Sequence, residues 1–140
     1  MDRARNAAWL PACLTGMLIV CMLAASVALA GPHADVAKKH AGEALMHGEQ
    51  MLEHGDMGHL QVMIEHAEQT VHHAREALNH AREDLEQTGN PHTNEFIKYT
   101  DVGVGHVEEA IDHAKQKHGP VAMRHAKEGM KHLKEGMGHL

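Results

Sequence analysis

Aromatic side chains are nearly missing from this 140-residue chain: it has one Trp, one Tyr and one Phe. A catalytic domain of this size normally shapes its pocket with aromatic bulk, so the composition points away from an enzyme. Cysteine is missing where it would matter. Cys13 and Cys21 both lie in the first 30 residues, and the rest of the chain has neither Cys nor Ser. That excludes a disulfide framework, thiolate zinc and iron–sulfur sites, and a Ser or Cys nucleophile in the remainder. Excess positive charge is absent too. Taking away residues 1–30 removes Asp2, Arg3 and Arg5 and leaves 18 acidic against 11 basic side chains, net −7 with neutral His. So acidic a chain is a poor ligand for nucleic acid.

The first 30 residues do not belong to the fold. A short basic start, Met1-Asp2-Arg3-Ala4-Arg5, runs into an apolar stretch from Ala7 to Ala30 that ends Ala28-Leu29-Ala30. A basic start, an apolar run and a small-x-small end define a secretory signal peptide. An apolar run of about 19 residues is also long enough for an uncleaved anchor, but the Ala-x-Ala end favours cleavage. We expect a signal peptide over 1–30 and an exported, periplasmic chain over 31–140, a monomer with no membrane contact after cleavage.

What is present is histidine, 16 residues of it. Fifteen fall in register. One set is His33, His40, His47 and His54; a second is His59, His66, His73 and His80. A third is His92, Tyr99, His106 and His113, with Tyr in the second slot; a fourth is His118, His125, His132 and His139. Steps within a set are seven residues, and sets one and two repeat as sets three and four with an offset of 59. His72 alone is off register.

Apolar residues follow the same period. Five after each His slot stand Leu45, Leu52, Ile64, Val71, Leu78 and Leu85, then Ile97, Val104, Ile111, Met123, Met130 and Met137. Small residues recur one and four after it, such as Ala41, Ala44, Ala74 and Ala77. Alternating steps of three and four make a heptad seam, and small residues beside a large one let helices approach closely. Lys38 breaks the pattern after His33, so the first slot should precede the packed region. Turns fall at Gly55-Asp56-Met57-Gly58, at Thr88-Gly89-Asn90-Pro91 and at Gly119-Pro120. Short links favour adjacent antiparallel helices. The expected fold is therefore all-α: an up-down-up-down four-helix bundle built from a duplicated helical hairpin, with helices near 34–54, 59–88, 92–117 and 119–138. The two glycines in Asp101-Val102-Gly103-Val104-Gly105 should fray or kink the third helix.

With the stripe centred between the plus-one, plus-four and plus-five positions, slot zero lies about 95° from it at 100° per residue. The imidazoles should then flank the core and be largely wet. Successive ones on a helix stand about 10.5 Å apart along its axis, too far to share a metal. A second ligand must come from three residues on or from a neighbouring helix. Glu follows by three in His40/Glu43, His73/Glu76, His80/Glu83, His92/Glu95, His106/Glu109, His125/Glu128 and His132/Glu135; Gln follows His47, His66 and His113. His54/His59 and His113/His118 flank the two short turns and can chelate there.

Solubility alone does not call for imidazole, since Lys, Glu and Gln serve it and form helices better. Imidazole is distinctive as a metal ligand and as a group titrating near pH 6.5. With carboxylate and water it suits Cu(II), Ni(II), Zn(II) or Co(II), and affinity normally peaks at Cu(II). Met123, Met130 and Met137 sit in the core slot and read as packing; Met46 and Met57 fall off it. A copper site at a free N-terminus Gly31-Pro32-His33 fails, because Pro32 has no N–H to lose. A di-iron centre needs Glu-x-x-His, the reverse of the order found here.

The signal peptide and heptads such as HAREALNHAREDLE, HVEEAIDHAK and RHAKEGMKHLKEG resemble the small metal-binding protein family over residues 33–140. The resemblance implies a periplasmic helical bundle that binds several divalent metals, copper prominently, for tolerance or storage. It implies as ligands the in-register histidines from His40 to His139: His40, His47, His54, His59, His66, His73, His80, His92, His106, His113, His118, His125, His132 and His139. Tyr99 and His72 depart from the register. The expected function is non-enzymatic metal buffering. A copper metallochaperone would instead favour one tight site and a docking surface, and a purely structural bundle would have a solvated His face with no metal affinity.

Overall fold

The computed structural model describes residues 32–140, so the signal peptide expected over 1–30 lies outside the described residues. Four helices follow in order: α1 (Pro32–Asp56), α2 (Leu60–Thr88), α3 (Pro91–Lys115) and α4 (Gly119–Met137). Their ends have local causes. Gly89 closes α2 in the left-handed conformation at φ 63°, donating its N–H to Leu85 O at 2.8 Å. Asn90 then caps α3, its side chain accepting from the His92 N–H at 3.0 Å, with Pro91 in the first turn where no N–H is needed. The corner is pinned from inside. Asp84, 2% exposed, accepts from the Thr93 hydroxyl at 2.9 Å and from Thr88 at 3.4 Å.

The bundle closes as a ring in which α1 packs on α2 and α4, and α3 on α2 and α4. Side-chain pairs across each seam run in opposite chain order, as neighbours running in opposite directions require. Across α1 and α2, His33 meets His80 while His54 meets His59. Across α2 and α3, Lys115 pairs with Glu68, Arg75 with Glu108 and Arg82 with Asp101. Across α1 and α4, Lys127 pairs with Asp56 and Lys134 with Glu49. Four-helix packing therefore has two kinds of seam, one of imidazoles and one of ion pairs, in alternation.

The core explains this alternation. Residues at plus-one and plus-four are the most deeply buried: Ala37, Ala67, Ala77, Ala81, Ala110, Ala122 and Ala126 are all 0% exposed. Plus-five residues divide, with Ile64, Leu78, Val104 and Met130 buried and Leu45, Leu52, Leu85 and Met137 half-buried. The seam is thus centred on plus-one and plus-four alone, about 70° from slot zero at 100° per residue. Plus-five lies an equal angle away on the other side. One flank of each helix carries imidazole toward its hairpin partner. The other carries Val71, Leu78, Val104 or Ile111 toward the opposite hairpin, beneath the ion pairs.

Close helix approach needs residues without side chains, and the glycines supply it. The stretch expected to fray, 101–105, is continuous helix, and Gly103 is buried against α4. A Cβ on Gly103 would lie 3.0 Å from Gly129 O, and one on Gly129 would lie 2.9 Å from Gly103 O. Tertiary contact outweighs the helix cost of glycine here, about 1 kcal/mol relative to Ala. Gly48 and Gly55 instead make room for the sulfurs of Met130 and Met123, so the first and last helices interlock through methionine. Those methionines are packing residues, as their slot indicated.

Candidate metal sites

Each hairpin brings its two His stripes face to face. Between α1 and α2 the rings alternate in a zigzag: His33, His80, His40, His73, His47, His66, His54, His59. Successive centroids are 5.4–5.9 Å apart, and most of the rings stack. Between α3 and α4 the order is His92, His139, Tyr99, His132, His106, His125, His113, His118, at 5.3–6.5 Å. These two ladders hold every in-register histidine. Directly opposed rings form rungs, such as His40/His73 and His106/His125. His72 stands outside, tilted against His73.

The expectation of largely wet imidazoles needs correcting. Among the ladder histidines beside a carboxylate, side-chain exposure runs from 20% at His73 to 33% at His106. Only His59, His92 and His118, near ladder ends, are exposed. The cause is the narrower core stripe, which brings slot zero closer to the seam, together with Ala and Gly beside it, which let the partner helix close over the ring. The first slot also needs correcting. His33 lies within α1, stacks on His80, and is followed by the fully buried Ala37. Lys38 stays outside, its ammonium donating to Leu140 O at 3.2 Å.

Three rungs gain a carboxylate. Glu43 Oε2 lies 3.0 Å from His40 Nδ1 and 3.2 Å from His73 Nδ1. Glu109 Oε2 lies 3.0 Å from His106 Nδ1 and 2.8 Å from His125 Nδ1. Glu83 Oε2 lies 2.8 Å from His33 Nδ1 and 3.6 Å from His80 Nδ1. In each trio one ligand atom per residue lies within 4.8 Å of the others. Metal–ligand bonds of about 2.0–2.2 Å at a tetrahedral angle set donors roughly 3.3–3.6 Å apart. Small side-chain rotations bring these donors onto a divalent ion.

Four of the remaining rungs offer imidazole alone, and the fifth pairs His132 with Tyr99. His47, His54 and His113 each have a buried Nδ1 with no hydrogen-bond partner. A buried imidazole nitrogen without a hydrogen-bond partner is costly, and such a nitrogen is what a cation would use. His54/His59 and His113/His118 meet at the turns with ring centroids 5.8 and 5.9 Å apart.

The model of the small metal-binding protein family matches residues 12–136. The chain belongs to that family. Membership makes metal binding its function, and the His and Glu groups of the ladders are the donors that can perform it. No curated protein matches the chain.

Electrostatics favour the state a metal needs. Burial pulls the His66 pKa below the ordinary imidazole value, helped by His54 and His47. Burial also lowers that of His73, against the raising effect of Glu43 and with the neighbouring imidazoles adding to the drop. A neutral imidazole has its lone pair free, so less proton competition must be overcome at these positions. The hydrogen bond from His106, and the imidazole of His125, hold the Glu109 carboxyl below its usual range.

His33, Glu43, Glu83 and Glu109 are the trio members outside the fourteen histidines assigned from the sequence. The i,i+3 spacing pointed to the three carboxylates as options. Only the pairing of helices separates Glu43 and Glu109 from Glu76 and Glu128, which occupy the same place after the opposing ring and belong to none of the trios.

Proposed function

We propose that the protein is a periplasmic buffer that sequesters divalent transition metals, with Cu(II) favoured, and that it performs no turnover. The observation that carries the reading is the pair of inter-helix imidazole ladders. Many similar sites spread along two seams suit storage of several ions; a chaperone would concentrate affinity in one. The donor set of neutral nitrogen and carboxylate oxygen matches Cu(II), Ni(II), Zn(II) and Co(II), with copper highest in the usual order of affinities. The periplasmic location rests on the basic-apolar-small pattern of residues 1–30. Among the described residues no helix is long and apolar enough to cross a membrane.

Binding in the seam ties both helices of a hairpin to one ion, so metal stabilises the folded bundle. One site at a free concentration of 100 times its Kd adds about 2.7 kcal/mol. The test is equilibrium dialysis of residues 31–140 against Cu(II), Ni(II) and Zn(II), with elemental analysis and parallel thermal melts. Several equivalents, copper held most tightly and a raised melt are expected. One tight copper and nothing else would move the assignment to a metallochaperone. No retention against a weak chelator and an unchanged melt would leave a structural bundle.

A further inference from the structure

The ladders contain seven rungs with two imidazoles each; the eighth pairs His132 with Tyr99. In chemistry these seven are not equal. Building on the metal-binding reading above, we infer that the carboxylate ranks the rungs: those holding Glu43, Glu83 and Glu109 take a divalent cation first, and the all-imidazole rungs fill later.

Two neutral imidazoles supply two donors and no charge. A divalent ion in such a rung keeps its full charge in a half-buried seam and must complete its shell with water. A carboxylate adds a third donor and one negative charge at the point where desolvation makes charge most costly. The position is right in each trio, because one oxygen faces an imidazole from each helix. In two of them both contacts are 3.2 Å or less. The trios also differ in placement. Two lie on the first ladder, on consecutive rungs, and one lies in the middle of the second. The first hairpin is therefore the tighter store.

The duplication supplies an internal comparison. Displaced by 59 residues, the rung His106/His125 with Glu109 becomes His47/His66 with Gln50. His47 and His66 have the same facing geometry, with centroids 5.8 Å apart against 5.9 Å for His106 and His125. Gln50 is exposed and on the position that delivers the Glu109 carboxylate to its rung. The two rungs thus differ chiefly by an amide in place of a carboxylate, and that difference sets their order of filling.

The test is competition titration of residues 31–140 with Zn(II) against a chromophoric chelator, counting equivalents that the chelator fails to remove. The wild type is expected to hold three tight equivalents, one per trio. Glu43→Gln and Glu109→Gln should each lower the count by one and weaken the affected rung by about 10–100-fold or more, the loss seen even for outer-shell partners. Gln50→Glu should raise it by one. Glu76→Gln, three residues after His73 on the rung that Glu43 serves, should leave it unchanged. Circular dichroism checks that each variant keeps its helices, and Gln50→Glu removes no existing contact. An unchanged count in Glu43→Gln, Glu109→Gln and Gln50→Glu would overturn the ranking while leaving metal binding intact. No Zn(II) held by the wild type would overturn both readings.

Discussion

Replacing Gly129 with alanine tests how the α3–α4 seam is set. In an unencumbered helix the change stabilises by about 0.8–1 kcal/mol. Here the new Cβ would stand 2.8 Å from Val107 Cγ2, 2.9 Å from Gly103 O and 3.2 Å from Val107 N. Two of those atoms are backbone and cannot rotate away, so relief requires α3 and α4 to separate. Overpacking of this kind costs about 1–3 kcal/mol, and with rigid neighbours the upper part of that range applies. The net expectation is a loss of about 1–2 kcal/mol, or a fall in Tm of about 5–10 °C for a domain of this size. Gly42 is the control. A Cβ there meets nothing within 4 Å, so Gly42→Ala should gain the full helix increment. The functional arm follows from position, because Val107 adjoins His106 in the rung with Glu109 and His125. Separation of α3 from α4 should weaken Zn(II) at that rung and spare the first hairpin. Urea and thermal melts of both variants, with Zn(II) titrations, provide the assay. A Gly129→Ala protein as stable as Gly42→Ala would refute the close-approach argument.

Other outcomes follow from single features. Lys117 adopts φ 63° in the α3–α4 turn, where its counterpart in the first hairpin is Gly58 at φ 75°. Lys117→Gly should stabilise by about 1 kcal/mol by relieving the left-handed strain, read from the urea midpoint. Thr93→Val removes the hydroxyl donor to buried Asp84 and should cost about 1–3 kcal/mol, read the same way. For pH, the lowered pKa values of His66 and His73 mean that the unfolded chain binds more protons than the folded one just below pH 6.5. The metal-free bundle should therefore be most stable above that pH and lose stability as pH falls through the folded-state values. Glu109 adds a loss of the same sign at more acidic pH. A Tm in chelator that stays level or rises from pH 7.5 to 5 would contradict that sign. Loaded metal should leave over the same acidic range, and retention of most of it at pH 4.5 would point to carboxylates as the main ligands.

Much of this architecture is legible in the sequence because its period is strict. Seven-residue steps, interrupted at Gly58, Asn90-Pro91 and Gly119-Pro120, place four helices within about two residues of where they lie. The offset of 59 shows the hairpin duplication. Three things were hidden for one reason: they depend on which helix face meets which partner. The plus-five residues look like core from their chemistry, yet they form a flank on which half of them are only half-buried, and counting them as the centre pushed the imidazoles too far toward solvent. Glu43 and Glu76 have identical local spacing, and only cross-helix register decides which carboxylate faces the rung. Gly103 reads as a helix breaker until Gly129 is seen opposite it.

Metal held between helices, by imidazoles distant in sequence, is the proposed binding mode. Its most direct test is a Zn(II) titration of the 15N-histidine-labelled protein, following each imidazole nitrogen by long-range 1H–15N NMR. Opposed pairs such as His40 with His73, and His106 with His125, should shift together to the metal-bound form at the same equivalent. Shifts confined to isolated surface imidazoles such as His72, or to single rings whose opposed partner stays unchanged, would contradict it.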